Sequence, residues 1–210
     1  VDTLKKADYF ASFPHHITLA SHLVEDAEIL KSLVQTASTN PQNLSFPGEC
    51  LCTSHVNSPA VCFHYYEALA GRRLDSVMRV TAVGPSFRYE AGNLRTLERL
   101  WDFTMREIVF VGPTGEVDSL RMSAMDPVMA LVDALRLKSH IETASDPFFV
   151  GNFAGQTFYQ LSHRTKFELR LHLPFEEGRS LAAASFNWHQ QFFGSRFGIF
   201  AGSGEPAGTA

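Results

Sequence analysis

One stretch constrains this chain more than any other: Ser86–Gly112, SFRYEAGNLRTLERLWDFTMREIVFVG. It begins with Phe87-Arg88-Tyr89-Glu90 and passes a polar turn at Ala91-Gly92-Asn93. It then adds Arg95 and Arg99 and closes on Phe103, Glu107 and the apolar run Ile108–Val111. A strand, an arginine-bearing turn and a returning strand make a hairpin that projects fixed cations over a pocket. Guanidinium groups held in that way suit the oxygens of a triphosphate. An amphipathic hairpin with solvated arginines has the same local pattern, so the rest of the chain has to choose between them.

Composition narrows the choice. The formal charge of the 210 residues is −4, so any anion site must be local and built from a few aimed arginines, not from a generally basic surface. That length can bury a core as one domain, or as one domain with an insertion. There is no internal repeat and no apolar run long enough to span a bilayer. The first residues, VDTLKKADYF, have no apolar signal-like region, and the expected location is cytoplasmic. Three cysteines, two of them separated by one residue, fit reduced thiols or a metal ligand better than a disulfide framework. Neither G-x-x-x-x-G-K-[ST] nor G-x-G-x-x-G occurs, so P-loop and dinucleotide-fold modes of nucleotide binding lack support.

In chain order, Leu4–Phe10 reads as a short amphipathic piece, broken by Ser12-Phe13-Pro14-His15-His16. Adjacent histidines do not share a helix face, and the pair reads as surface or capping residues. Ser21–Ala37 is expected to be a helix on the spacing of Leu23, Ala27, Leu30 and Val34, with Glu25, Asp26 and Glu28 loading its first turns. Residues 38–48 read as a loop and Glu49–Thr53 as a short strand. Ser58-Pro59 looks like a helix cap, starting a helix to Ala70 whose apolar face is Phe63, Tyr66 and Ala70. Val77–Val83 reads as a strand leading into the hairpin. Beyond it, Gly112–Gly115 is a turn, Val117–Met122 a short element, and Asp126-Pro127 starts a capped helix to Lys138 with a core stripe Val128, Leu131, Val132, Leu135. Asp146–Phe158 reads as a strand or loop pair. Lys166–Leu173 alternates strictly and is a half-buried strand. Ser180–Asn187 reads as a central strand, and Gly194–Ala210 is Gly-rich. Strands with helices inserted irregularly between them imply an α+β fold with a mostly antiparallel sheet.

Several of these segments, taken together and in order, resemble one family. Phe87–Glu90, Arg99 and Phe103-Thr104-Met105-Arg106-Glu107 resemble motif 2 of the class II aminoacyl-tRNA synthetases. They are most similar to the atypical zinc-dependent seryl-tRNA synthetases and their truncated relatives, the amino acid:[carrier protein] ligases. Ser58–Cys62 (SPAVC) resembles the family's helix with a cysteine zinc ligand, and Lys166–Leu169 and Ser185–Gly194 resemble its late catalytic strands. The resemblance implies a class II synthetase-like antiparallel sheet flanked by helices, truncated before motif 3. It divides the chain into an N-terminal helical segment, 1–44, and a catalytic core, 45–210. It implies Arg88 as the catalytic residue at the ATP α-phosphate, Glu90 at adenine, Arg99 along the β/γ-phosphates, Phe103 stacked on adenine, and Asn187 near ATP, Mg²⁺ or substrate. Cys62 and Glu107 would be zinc ligands.

The departures are specific. Gly208-Thr209-Ala210 resembles the residues just before the family's third zinc ligand, a cysteine that opens motif 3: either the sequence is a piece of a longer chain, or it is a form without motif 3 in which His64 or another group would substitute. The Mg²⁺-binding glutamate position is Leu181, with Glu168 as a replacement. Cys50 and Cys52 match nothing the family requires. The resemblance implies ATP-dependent activation of a small, Gly/Ala-like amino acid as its adenylate, using ATP, Mg²⁺ and Zn²⁺. The amino acid would pass to the phosphopantetheine thiol of a carrier protein. A homodimer is expected, tRNA and membrane partners are not, and Arg72-Arg73 is a candidate docking patch. Two alternatives stand beside it: seryl-type aminoacylation of tRNA, and a synthetase-like binding module without catalysis.

Overall fold

Alternation is strongest on either side of the hairpin tip, and this is where the longest strands form. In this computed structural model, which describes residues 1–43, 50–90, 98–145 and 154–210 (backbone alone at 50–53 and 154–157), β4 is Met78–Phe87 and β5 is Asp102–Gly112. They pair antiparallel without a slip from Met78↔Val111 to Phe87↔Asp102. Residues paired across an antiparallel ladder share a face, so Ala82, Gly84 and Ser86 lie on the side of Phe103, Met105, Glu107, Val109 and Val111. That face is buried toward its lower end, with Val109 and Val111 in the core. The polar turn at 91–93 and Arg95 lie outside the described residues.

Three short strands and four α-helices among the described residues precede this hairpin. α1 (Asp2–Lys6) and α2 (Tyr9–Ser12) are followed by a 3-10 turn at Pro14–His16. β1 (Leu19–Leu23) pairs antiparallel with β2 (Cys50–Val56), and α3 (Ala27–Thr39) lies between them in sequence. The expected helix from Ser21 therefore begins six residues late. Asp26 is its cap, accepting from the backbone N–H groups of Glu28 and Ile29 at 2.9 and 3.1 Å. Leu30 and Val34 remain exposed, and α3 buries no residue. α4 (Cys62–Ala68) and the two-residue strand β3 (Arg73–Leu74) lead into β4.

The core joins segments far apart in sequence. Leu4, Ala7 and Tyr9 pack with Phe63 and Tyr66 of α4, Val109 and Val111 of β5, and Phe193 and Phe197 of α8 (Phe192–Phe197). The segment 1–44, expected to be helical, thus carries β1 and contributes to the core expected to begin at residue 45. Aromatic stacking organises this layer: Tyr66 and Phe193 are parallel at 4.6 Å, and Phe63 meets Tyr9 and Phe193 edge-on at 5.6 and 6.0 Å. Gly194 is required inside α8, because a Cβ there would lie 2.0 Å from the Ala207 carbonyl oxygen. Gly194→Ala is expected to destabilise the protein by about 1–3 kcal/mol through overpacking. Thermal unfolding checks this, and an unchanged midpoint would show that Ala207 can move aside.

A second layer follows the hairpin. α5 (Thr114–Ser123) and α6 (Met125–Ala134) succeed β5. β6 (Ser139–Thr143), α7 (Ala154–Ser162), β7 (Lys166–His172) and β8 (Ser180–Asn187) come next, and β9 (Phe200–Ala201) and β10 (Gly208–Thr209) close the chain. The sequence did not announce β6. Of the stretch expected to be strand or loop, 146–153 lies outside the described residues and 154–158 opens α7. The antiparallel sheet runs β6-β7-β8, so β7 is central and β8, expected to be central, is an edge of that sheet. Phe167, Leu169 and Phe186 bury one face against Met125 and Val132. The stripe expected on α6 splits: Val132 is buried, whereas Leu131 and Leu135 are exposed. Asp126 sits in the first turn of α6 and Ala124 is the cap residue.

The two halves of the sheet meet through β10, which pairs with β5 at Gly208↔Gly112 and Thr209↔Val111. On its other side, Thr209 bridges Gln190, just beyond β8, with N–H to carbonyl distances of 2.9 Å from Thr209 to Gln190 and from His189 to Thr209. Two three-stranded antiparallel sheets, β4-β5-β10 and β8-β7-β6, are joined by the Gln190–Thr209 bridge; α5 packs across β5, β10 and β8, and α6 covers Phe167, Leu169 and Phe186 of the second sheet. No helix among the described residues is long and apolar enough to cross a membrane.

Candidate functional site

The hairpin and α4 build the site together. Phe87 donates to the Ser58 carbonyl at 2.9 Å, which ties the end of β4 to the segment before α4. Ser58 itself does not cap that helix; its hydroxyl donates to the Ala60 carbonyl at 2.7 Å. The helix N-terminus is capped from a distance. Both oxygens of the Glu107 carboxylate accept backbone N–H groups, Val61 at 3.0 Å and Cys62 at 2.6 Å. A carboxylate there satisfies two orphan donors and meets the positive end of the helix.

This places Cys62 beside Glu107, and the thiol is hydrogen-bonded to the carboxylate. Burial, then the Glu107 charge, push the Cys62 thiol well above its ordinary range, against smaller opposing effects of Tyr66 and Arg88. The Tyr66 phenol behind it is likewise pushed up, first by burial and then by Cys62. A thiol sulfur and a carboxylate are donors that zinc accepts. Among the described residues no third His, Cys, Asp or Glu joins them, and His64 is exposed. The pair fits zinc in kind and falls one donor short of the three a catalytic zinc site takes from its protein.

Arg88 continues the hairpin ladder, its N–H donating to the Trp101 carbonyl at 3.0 Å. Its guanidinium donates to the Pro59 carbonyl at 2.9 Å, approaches the Met105 sulfur at 3.7 Å and lies 5.5 Å from the centre of the Phe103 ring. Three directions of restraint therefore aim it, while it keeps further N–H groups for a ligand. Arg88, Phe103, Cys62 and Glu107 thus share one region, joined through Pro59 and Met105. Glu90 lies just past the strand, paired with the exposed Arg99 at 3.6 Å. The Glu90 charge also faces His15, whose imidazole burial holds below its usual range despite that carboxylate.

Asn187 belongs to the other half of the sheet. It ends β8 opposite Lys166, and its amide donates to the Ser185 hydroxyl at 3.0 Å. Glu168 neighbours it on the open face of β7 and is bracketed by Lys166 at 3.3 Å and Arg170 at 3.1 Å. Leu181 pairs with Leu171. The sequence pattern did not foresee that Glu107 caps α4. The available signal was Glu107 standing just before the apolar run Ile108–Val111, in alternation with the buried Val109 and Val111.

No protein-family model matches this sequence. It is 31% identical over 216 residues to the amino acid–[acyl-carrier-protein] ligase 1 of Bradyrhizobium diazoefficiens, a match covering 98% of this chain and 62% of the relative. It is 38% identical over 162 residues to ligase 2 of the same organism, covering 74% of this chain and 46% of that protein. The type-2 serine–tRNA ligase of Methanothermobacter thermautotrophicus is 26% identical over 207 residues, with 95% and 40% covered. The chain therefore spans about half the length of the curated relatives it matches. Among solved structures, the M. kandleri SerRS bound to A. aeolicus tRNASec superposes with a TM-score of 0.79 at 20% identity, covering 99% of this chain and 42% of that one. The seryl-tRNA synthetase of Pyrococcus horikoshii complexed with ATP gives 0.57 at 14% identity, with 99% and 45% covered. The antiparallel sheet with flanking helices is the class II synthetase fold, and the chain is a class II synthetase-like relative of the amino acid–[acyl-carrier-protein] ligases and, at lower identity, of the type-2 serine–tRNA ligases.

Proposed function

We propose that this chain carries the nucleotide-binding hairpin and the amino-acid end of an ATP-dependent ligase. The enzyme would activate a small amino acid and pass it to the phosphopantetheine thiol of a carrier protein. The observation that carries this reading is the restrained Arg88 guanidinium beside the Cys62–Glu107 pair, in a chain related to amino acid–[acyl-carrier-protein] ligases.

A carboxylate oxygen of the amino acid attacks the α-phosphorus of ATP, the bond to the bridging oxygen breaks, and pyrophosphate leaves. Arg88 stabilises the negative charge that builds on the α-phosphate oxygens, and its restraint by Pro59 means it needs no reorganisation at that moment. Phe103 offers a ring face to adenine, and Glu90 accepts from the adenine amino group. Arg99 exchanges its pairing with Glu90 for the β/γ-phosphates, whose charge Mg²⁺ would also offset. Asn187 approaches the nucleotide from the second half-sheet. Cys62 and Glu107 would hold zinc together with a third donor, and the metal would supply a Lewis-acidic position for the substrate amino group. In the second half-reaction the carrier thiol adds to the adenylate carbonyl and AMP leaves, giving a thioester. A homodimer in the cytoplasm, with Arg72-Arg73 as a docking patch for an acidic carrier, completes the proposal.

Pyrophosphate–ATP exchange that depends on glycine, alanine or another small amino acid is the expected result for the intact protein. Its absence with every small amino acid, while ATP still binds, would instead favour a binding module without catalysis. The relation to type-2 serine–tRNA ligases supports tRNA charging as a second reading. Offering the adenylate both a phosphopantetheinylated carrier and tRNA separates the two acceptors.

A further inference from the structure

Away from the hairpin, the open face of β6 and β7 brings two imidazoles together. His140 pairs with Arg170 across the ladder and Glu142 with Glu168, so all four lie opposite the buried face of Phe167 and Leu169. His172 sits two residues beyond Arg170 on the same side, and its N–H donates to the Lys138 carbonyl at 2.9 Å, which fixes it against β6. The His140 Nδ1 and His172 Nε2 atoms are 3.0 Å apart, with ring centres 5.0 Å apart. The other His140 nitrogen, Nε2, lies 3.5 Å from the Glu142 carboxylate.

The structure assigns to this pair a binding site for one divalent transition-metal ion of the zinc or nickel class, with His140 Nδ1 and His172 Nε2 as ligands and water in the remaining positions. Two nitrogens each about 2.0–2.1 Å from one metal, at angles between a right angle and a tetrahedral one, lie about 2.9–3.4 Å apart. The separation of 3.0 Å falls within that range before any ion arrives. Without an ion the 3.0 Å contact is a hydrogen bond between the rings, whose proton the metal would replace, and the Glu142 carboxylate 3.5 Å from Nε2 favours a proton there and a lone pair on Nδ1. The neighbouring cation does not oppose the ion with its full charge, because Arg170 is engaged by Glu142 at 3.5 Å and Glu168 at 3.1 Å and donates to the Ser180 carbonyl at 3.0 Å. His172 is exposed and also lines an open cleft with Asp133, Arg136, Leu137, Lys138 and Ser139, so solvent reaches the ring. Imidazole pairs favour zinc, nickel and copper over magnesium or calcium, which take oxygen ligands.

Zinc chloride titrated into the full chain, followed by the ring ¹⁵N resonances of His140 and His172, tests the site separately from Cys62 and Glu107. Both rings are expected to shift together and to saturate at the same zinc concentration. In His172→Ala the His140 ring should no longer respond over that range. Glu142→Gln should weaken binding by about tenfold or more. Rings that stay unchanged through the titration would overturn the site, as would a His140 response unaltered by His172→Ala. An unchanged affinity in Glu142→Gln would overturn the orienting role given to Glu142.

Discussion

Replacing Arg88 with alanine is expected to lower amino-acid-dependent pyrophosphate–ATP exchange by about a hundredfold or more, the usual cost of losing one preorganised donor to a developing anion. Stability should change little, because the side chain's own contacts are one hydrogen bond to the Pro59 carbonyl, a sulfur contact and a ring face. Arg88→Lys is the sharper variant. It keeps the charge and loses the planar fork, so it cannot hold Pro59 and a phosphate oxygen at once. Both variants should show the loss mainly as a lower turnover, measured under conditions where circular dichroism and the thermal midpoint match the parent. Full exchange activity in Arg88→Ala would remove the hairpin from the proposed chemistry.

Glu107→Ala is expected to act on stability and on activity together. Two backbone donors at the start of α4 lose their acceptor, and a part-buried donor left unsatisfied costs about 1–3 kcal/mol. In a chain of 210 residues each kcal/mol lowers the thermal midpoint by roughly 2–4 °C. Glu107→Gln divides the two roles. Its amide oxygen can still accept from one of the two N–H groups, so part of the stability should return. A neutral amide does not replace a carboxylate toward a metal or an amino group, so exchange should stay as low as in the alanine variant. Recovery of exchange in Glu107→Gln would mean that the residue serves the fold alone.

The contrast between what could and could not be read locally follows from where each partner lies. β4 and β5 were legible in part through their apolar runs, Val77–Val83 and Ile108–Val111, and β7 through its strict alternation. The start of α3 was misplaced because Leu23, Ala27, Leu30 and Val34 keep helical spacing straight through the Asp26 cap. What makes Leu19–Leu23 a strand is its pairing with β2, from Leu19↔Val56 to Leu23↔Cys50, which no local window contains. The same limit hid the α4 cap. Ser58-Pro59 has the composition of a helix start, yet the N–H groups belong to Glu107, 45 residues away from Cys62. Arg88 and Glu107 were singled out through the motif they form, whereas the His140–His172 contact needed the register of β6 against β7.

The position of β10 has a consequence for how the chain reaches this state. Ala210 exchanges both backbone hydrogen bonds with Phe110, at 2.9 and 3.1 Å, while Thr209 holds Gln190 on the opposite side. The strand that joins the two half-sheets therefore closes a loop of about a hundred residues on one edge and a short loop on the other. The hairpin β4–β5 and the β7–β8 pair need only nearby chain to form. Pairing through β10 closes the longer loop and costs more entropy than either local pair, while α5, which touches both β5 and β8, supplies a second link. Folding of this sheet should be limited by docking of two preformed halves, with β10 as the closing piece.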